Sequence, residues 1–270
     1  MKMKLNRKIK MLDLFAGCGG LTDGFMQTNC FNDIAAVEWK EPQVRTLRNR
    51  LRTKWGEQDA DERVLHFDIQ REAELFAGWS EDKDYESSRG LDYYVNEANG
   101  IDIIIGGPPC QAYSVAGRVR DEKGMADDYR NFLFEHYLAI VDRYQPDLFI
   151  FENVPGILSA APHGKKVSEI IQKEFSKKDY EITSKLKGAI VNAADYNVPQ
   201  NRKRVILVGI RRKSFKDIDI QKMLDDFYKQ ILPSHKCENV LTVKDAIGML
   251  PPLEPYWDEE HHSKRKSVLS

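Results

Sequence analysis

Short apolar runs alternate with charged stretches of helical spacing along most of this chain, and that alternation restricts the fold more than any other feature. Met11-Leu12-Asp13-Leu14-Phe15 is mostly apolar and ends in a glycine cluster, after which Leu21 to Gln27 carries helical spacing. The pattern predicts strand, tight loop and helix. Ile34-Ala35-Ala36-Val37 predicts a second buried strand, followed by a charged amphipathic helix from about Glu41 to Leu51, and a short third strand lies near Val64 to Phe67. Ile101 to Ile105 and Leu148 to Phe151 are almost wholly apolar, as parallel strands covered on both faces are, with a helix around Asn131 to Arg143 between them. Arg204 to Ile210 is a further buried strand. Strands and helices in this order predict an α/β fold with a doubly wound, mostly parallel sheet, whose ligand sites lie beyond the carboxyl ends of the strands.

Two stretches interrupt the alternation. Gln70 to Gly100 is rich in Glu, Asp, Ser and Gly and reads as a surface excursion with some helix, and Arg211 to Asn239 reads as a charged helical insertion. Thr242 to Leu250 predicts a short helix with Thr242 as N-cap, closed by Pro251-Pro252. Beyond it the chain is polar and basic.

Composition removes several classes of function. Forty-one Lys+Arg against 42 Asp+Glu leave a formal charge of -1, so no global attraction to nucleic acid exists and any such binding must use local basic patches. No window approaches the ~18 apolar residues of a membrane span. Cys18, Cys30, Cys110 and Cys237 are widely spaced, against a disulfide framework or a zinc site, and a reducing, cytoplasmic setting is expected. Cys30 and Cys237 are expected to be small buried hydrophobes, and Cys18 to be structural.

The residues that follow the strands carry chemistry. Phe15-Ala16-Gly17-Cys18-Gly19-Gly20-Leu21 ends the first strand, and its glycines let backbone N–H groups approach a ligand. A dinucleotide fingerprint would need a third glycine where Thr22 stands, which disfavours a nicotinamide cofactor and an oxidoreductase. Glu38 after the second strand can accept from ribose hydroxyls, Trp39 offers a flat face to adenine, and Asp68 after the third can accept from an adenine amino group. Each alone is an ordinary turn, acid or half-buried indole; three on consecutive strand ends favour a nucleoside pocket.

Gly106-Gly107-Pro108-Pro109-Cys110-Gln111 follows the fourth strand, and its prolines stiffen the loop that carries the thiol. A thiol in the cleft can act as a nucleophile when its thiolate is favoured. Glu152-Asn153-Val154 follows the fifth strand, which puts a candidate proton donor at the same edge. In Gln200-Asn201-Arg202-Lys203-Arg204, alternate side chains of a strand would send Arg202 and Arg204 to one face.

Asp13 to Leu21, Glu38-Trp39, Asp68-Ile69, Gly107 to Ser114, Arg130 to Phe134, Glu152 to Val154 and Val198 to Gly209 together resemble the DNA cytosine-5 methyltransferases of the bacterial type, in the family's order. The resemblance implies a Rossmann-like methyltransferase fold and S-adenosylmethionine as cofactor, with S-adenosylhomocysteine as product. By the same resemblance the cofactor is held by Phe15, Ala16, Gly17, Cys18, Gly19, Gly20, Leu21, Glu38, Trp39, Asp68, Ile69, Pro108 and Leu133. Double-stranded DNA would be the substrate, with the cytosine flipped out of the duplex. Cys110 would attack carbon 6 and Glu152 would hydrogen-bond or protonate N3. Arg202 and Arg204 would orient Glu152 and meet the cytosine oxygen, and Asn153 would fix the Pro108-Pro109 loop. Gln111, Ser114, Arg118 and Arg120 would lie in a loop that closes over DNA. No metal is implied.

The resemblance also divides the chain into a catalytic domain over residues 1–253, with insertions at about 70–100 and 211–240, and the start of a linker or target-recognition region over 254–270. The family's recognition region and final cofactor motif have no counterpart here. A second subunit that supplies them, or a truncated product, is expected, as is weak or no methylation by this polypeptide alone. A tRNA cytosine-5 methyltransferase and a non-catalytic remnant are the alternative readings, and a restriction-modification system is the expected setting.

Overall fold

The computed structural model describes residues 7–109, 133–161 and 166–251. In it the apolar runs form one eight-stranded sheet of order β3-β2-β1-β4-β5-β8-β6, with β7 pairing β8 off this path. The strands are β1 (Ile9–Leu14), β2 (Phe31–Glu38), β3 (Val64–His66), β4 (Ile103–Gly106), β5 (Leu148–Asn153), β6 (Tyr180–Glu181), β7 (Ile190–Asn192) and β8 (Lys203–Arg211). β1 to β5 pair in parallel. β8 runs antiparallel to β5, β6 and β7. From β1 the chain winds outward through β2 and β3, then returns to place β4 on the other side of β1. That reversal is the topological switch point, and the carboxyl ends of β1 to β5 share one edge there.

Helices α1 (Gly20–Met26), α2 (Glu41–Trp55), α3 (Ala60–Arg63), α4 (Glu72–Ala77), α5 (Gly90–Glu97), α6 (Leu133–Tyr144) and α7 (Val167–Lys177) cover the sheet. Strand periodicity divides its side chains between two cores. Leu12, Leu14, Val37, Leu65, Ile104, Phe149, Phe151 and Leu207 belong to one. Met11, Ala36, Ile103 and Ile105 join Val44, Leu47 and Leu51 of α2 in the other. Both faces are covered, as the near-continuous apolar runs require.

The excursion at 70–100 keeps most of its residues exposed or half-buried, as expected, but it also reaches the core. It folds as α4 and α5, and its Leu75, Trp79, Leu91, Tyr94 and Val95 are buried in the larger core. Its few apolar residues are spread through a polar sequence, which hides their convergence. The insertion at 211–239 is helical, with Ile220, Leu224 and Tyr228 packed against the same core. Thr242 caps the helix Val243–Ile247 through a reciprocal pair with Asp245. The expectation of buried cysteines needs correction, since Cys30 and Cys237 are only half-buried; Cys18 is exposed. Cys30 follows the turn Thr28-Asn29 and Cys237 lies beside Asp195, so neither reaches a core layer. Among the described residues no helix is long and apolar enough to cross a membrane, and no group of three or more His, Cys, Asp or Glu could hold a metal ion.

Candidate active site

At the end of β1 the chain turns sharply. Phe15 takes a left-handed conformation, φ 59°, which costs a non-glycine residue of order 1 kcal/mol, and its ring lines a cavity at the strand ends. Gly19, φ 81°, is needed for conformation and for space, since a Cβ there would lie 2.4 Å from Leu47 Cδ1 of α2. Beneath this loop the Thr22 hydroxyl donates to Oδ2 of Asp13, which is fully buried. Loss of hydration pushes the Asp13 carboxyl up to about 8, against the opposing effect of the Thr22 hydrogen bond.

The cavity holds about 310 Å³. Glu38, 7% exposed, stands at its rim with both oxygens engaged. Oε2 accepts from the Gly17 N–H at 2.9 Å, and Oε1 accepts from the N–H groups of Trp39 at 3.0 Å and Lys40 at 2.9 Å. The carboxylate thereby ties the glycine loop to the end of β2. Trp39, 46% exposed, presents its indole beside Glu38, and Asp68 accepts the Gln70 N–H at 3.0 Å. Val37, Phe67, Ile69, Pro109 and Leu133 complete an apolar lining. A flat ring, acceptors for hydroxyl and amino groups, and hydrocarbon walls suit a nucleoside.

Of the residues expected to hold a cofactor, the structure gathers Phe15, Glu38, Trp39, Asp68, Ile69 and Leu133 around the cavity. Gly17 reaches it through Glu38, whereas Ala16, Cys18, Gly19, Gly20 and Leu21 form the loop and the first turn of α1 behind it. Pro108 is buried and its neighbour Pro109 lines the cavity. Sequence reasoning missed Lys40 and Gln70, each next in line after a residue that it named, and Phe67, one position ahead of Asp68.

Next to the cavity, β4 and β5 end side by side. Gly107 leaves room for the Glu152 carboxylate, since a Cβ there would lie 2.7 Å from Glu152 Oε2 and would displace it. The Asn153 amide donates to the Pro108 carbonyl at 3.2 Å, and its Oδ1 accepts the Val154 N–H at 2.8 Å, so the end of β5 holds the proline loop. Glu152 Oε1 lies 2.8 Å from Arg204 Nε of β8, with both side chains about a quarter exposed. The antiparallel register sets Glu152 opposite Ile206 and Asn153 opposite Val205, which brings Arg204 to the end of β5. Arg202 precedes β8 and is exposed; its carbonyl accepts the Ala193 N–H at 2.9 Å. Arg204, and not Arg202, makes the ion pair with Glu152. Cys110, Gln111, Ser114, Arg118 and Arg120 lie outside the described residues.

A family model described as C-5 cytosine-specific DNA methylase matches residues 9–268. The chain is 32% identical over 284 residues to the Type II methyltransferase M.Bpa9945I of Bacillus paralicheniformis, across 91% of this chain and 61% of that protein. It is 32% identical to the Type II methyltransferase M.AquIA of a Picosynechococcus species, across 91% of this chain and 90% of that protein. Among solved structures, one described as a DNA modification methyltransferase encoded within an E. coli prophage superposes with a TM-score of 0.60 at 28% identity. That match covers 91% of this chain and 56% of the other. The chain spans about half the length of several other curated relatives that it matches.

Proposed function

The chain belongs to the C-5 cytosine-specific DNA methylase family, and from that premise we propose that it transfers a methyl group from S-adenosylmethionine to carbon 5 of a cytosine in double-stranded DNA. The observation that carries this reading is the Glu152–Arg204 pair, set against Gly107 of the Cys110 loop and next to the nucleoside-shaped cavity. The cavity fits the adenosyl group: Trp39 for the adenine face, Asp68 for its amino group, Glu38 for ribose hydroxyls, and Phe15, Ile69 and Leu133 for the apolar surface. When bound, the cofactor supplies an electrophilic methyl group and leaves as S-adenosylhomocysteine.

The chain's own residues do the rest. The target cytosine must leave the base stack for its ring carbon to be reached. Cys110, as thiolate, forms a bond to carbon 6 while Glu152 hydrogen-bonds or protonates N3, which neutralises charge as it develops on the ring. Carbon 5 then becomes the nucleophile that takes the methyl group. Loss of the carbon 5 proton to water lets the bond between carbon 6 and sulfur break, Cys110 departs as thiolate, and a proton held on N3 returns to Glu152, leaving 5-methylcytosine. Arg204 holds Glu152 in place, and Arg202 meets the cytosine oxygen. Gln111 meets the DNA, and Ser114, Arg118 and Arg120 contact its phosphates, which positions the duplex without reading it.

Reading the target sequence, and closing the methionine end of the cofactor site, falls in this proposal to residues outside the described ones, on a second subunit or on a longer form of this polypeptide. Support comes from Val240, Leu241, Val243, Ile247, Met249 and Leu250, whose apolar side chains are all exposed, between 42% and 87%, along one short segment. The relatives' description as Type II methyltransferases supports a restriction-modification setting.

The test is covalent trapping on duplex DNA that carries 5-fluorocytosine, with S-adenosylmethionine, in the presence and absence of the neighbouring gene's product. An adduct that Cys110→Ser abolishes is the expected result, and one formed only with the neighbouring product assigns the second subunit. An adduct on tRNA and none on DNA would replace the substrate. No adduct on either nucleic acid, with or without that product, would overturn the reading.

A further inference from the structure

Trp39, Phe67 and Asp68 sit at the ends of β2 and β3, and the angles of their side chains decide the shape of the nucleoside cavity. Phe67 and the Asp68 turn are held from behind by the 70–100 excursion, and Trp39 is linked to it through His66. Phe67 stacks on Trp79, with ring centres 3.7 Å apart and planes 23° from parallel. Trp79 is itself fixed, since its indole N–H donates to the Glu86 carbonyl at 2.7 Å and its backbone pairs with Ser88. Tyr85 packs 4.9 Å from Phe67 and 5.0 Å, edge-on, from His66. His66 Nε2 lies 3.0 Å from the Trp39 carbonyl oxygen, so Tyr85 packs on Phe67 directly and reaches the Trp39 backbone through His66.

Arg71 links these parts. Its guanidinium lies 4.7 Å from the Phe67 ring centre and 5.8 Å from that of Tyr85. Asp82 holds it at 2.7 Å, and Glu74 accepts from its Nε at 2.7 Å. Its backbone N–H donates to the Asp68 carbonyl at 3.1 Å, closing the turn that carries Asp68 and Gln70 into the cavity. Asp82 in turn accepts the N–H groups of Asp84, at 2.9 Å, and Tyr85, at 3.2 Å, so one carboxylate orders the Tyr85 loop and grips Arg71. A planar guanidinium can stack on rings while it pairs with two carboxylates, which an ammonium cannot do.

We propose that the excursion is the adenine-end wall of the cofactor site, and that Arg71 is the positioning residue locking Phe67, Tyr85 and the Asp68 turn into one preformed slot. This rests on the reading of the cavity as the site of an adenosyl cofactor. A preformed slot spares the ligand the cost of ordering these side chains. The excursion backs Phe67 and the Asp68 turn, the part of the cavity assigned to adenine, so loosening it weakens every adenosine-bearing ligand by a common factor.

The test is calorimetric titration of the full chain with S-adenosylhomocysteine and, separately, with adenosine. Arg71 is a third exposed, so Arg71→Met leaves the core in place. It is expected to weaken both ligands by about tenfold, with the ligand-free melting temperature little changed. Asp82→Asn keeps an acceptor for the Asp84 and Tyr85 N–H groups while removing the charge that grips Arg71. It is expected to weaken both ligands by a smaller common factor, and Arg71→Lys is expected to fall between wild type and Arg71→Met. The Asp82 variant carries the test should Arg71→Met fail to fold. Wild-type affinities in both the Arg71→Met and Asp82→Asn proteins, or a loss confined to S-adenosylhomocysteine, would overturn the wall and leave the cofactor reading standing. A wild-type chain that binds neither ligand would overturn the cofactor reading itself.

Discussion

Asp13 lies in the interior of the sheet with Oδ2 bonded to the Thr22 hydroxyl and Oδ1 without a partner. Burial pushes its carboxyl up to about 8, the Thr22 bond opposes this, and the nearby Asp33 adds to it. In the unfolded chain the group returns to about 3.9, so between these limits folding takes up a proton. The raised value sets the sign: this contribution is fully present below about pH 4 and is lost as the pH rises through about 8. Within that window one proton is worth about 1.4 kcal/mol per pH unit, or roughly 2.7 kcal/mol from pH 5 to pH 7. Asp33, pushed by burial to about 7, adds in the same direction. Acids whose pKa is lowered, such as Asp23 and Asp92 beside their arginines, lose their contribution only as the pH falls below the ordinary carboxylate range. The two effects therefore occupy different windows. Asp13→Asn keeps the shape and an acceptor for Thr22 but cannot ionise. Urea unfolding of both proteins at pH 5, 6, 7 and 8 should show wild type losing stability faster with pH, its margin over the variant shrinking by about 2.7 kcal/mol between pH 5 and pH 7. Parallel profiles would mean that Asp13 ionises without cost in the folded chain and would refute the argument.

Gly107→Ala would place a methyl group 2.7 Å from Glu152 Oε2 and move that carboxylate off Arg204. Trapping yield on 5-fluorocytosine DNA should fall by about 100-fold while S-adenosylhomocysteine affinity holds, and a wild-type yield would detach Glu152 from the chemistry. Glu38→Ala leaves the N–H groups of Gly17, Trp39 and Lys40 without their acceptor, so calorimetry should show adenosyl-ligand affinity lowered by about tenfold or more. Gly209→Ala in β8 would drive a methyl group to 2.0 Å from the Phe149 ring, and thermal or urea unfolding should report a loss of about 1–3 kcal/mol, independent of any ligand.

Local patterning made much of the scaffold legible. The apolar runs locate β1 to β5 and β8, and the strand-end rule points to Glu38, Trp39 and Asp68, because each depends on neighbours within a few residues. Boundaries moved for reasons of tertiary packing. β2 extends from Phe31 to Glu38, and α2 continues to Trp55, whose indole N–H donates to Asp23 at 2.9 Å. Partners 32 residues apart leave no periodic trace.

The sequence by itself determined that a parallel α/β sheet would form and that glycine, acid and proline motifs would follow its strands, since side-chain period and turn chemistry are local properties. Tertiary structure alone decided how those motifs meet. The antiparallel entry of β8 beside β5 gave Glu152 to Arg204 and left Arg202 exposed. The left-handed turn at Phe15 aimed a ring into the cavity. Beside its exposed surface the excursion backs that cavity, because Trp79, Tyr85 and Arg71 pack on Phe67 and His66 at the end of β3, which pairs with β2. Pairing partners, strand direction and the burial of scattered apolar residues arise from contacts between segments distant in sequence, and no window of neighbouring residues records them.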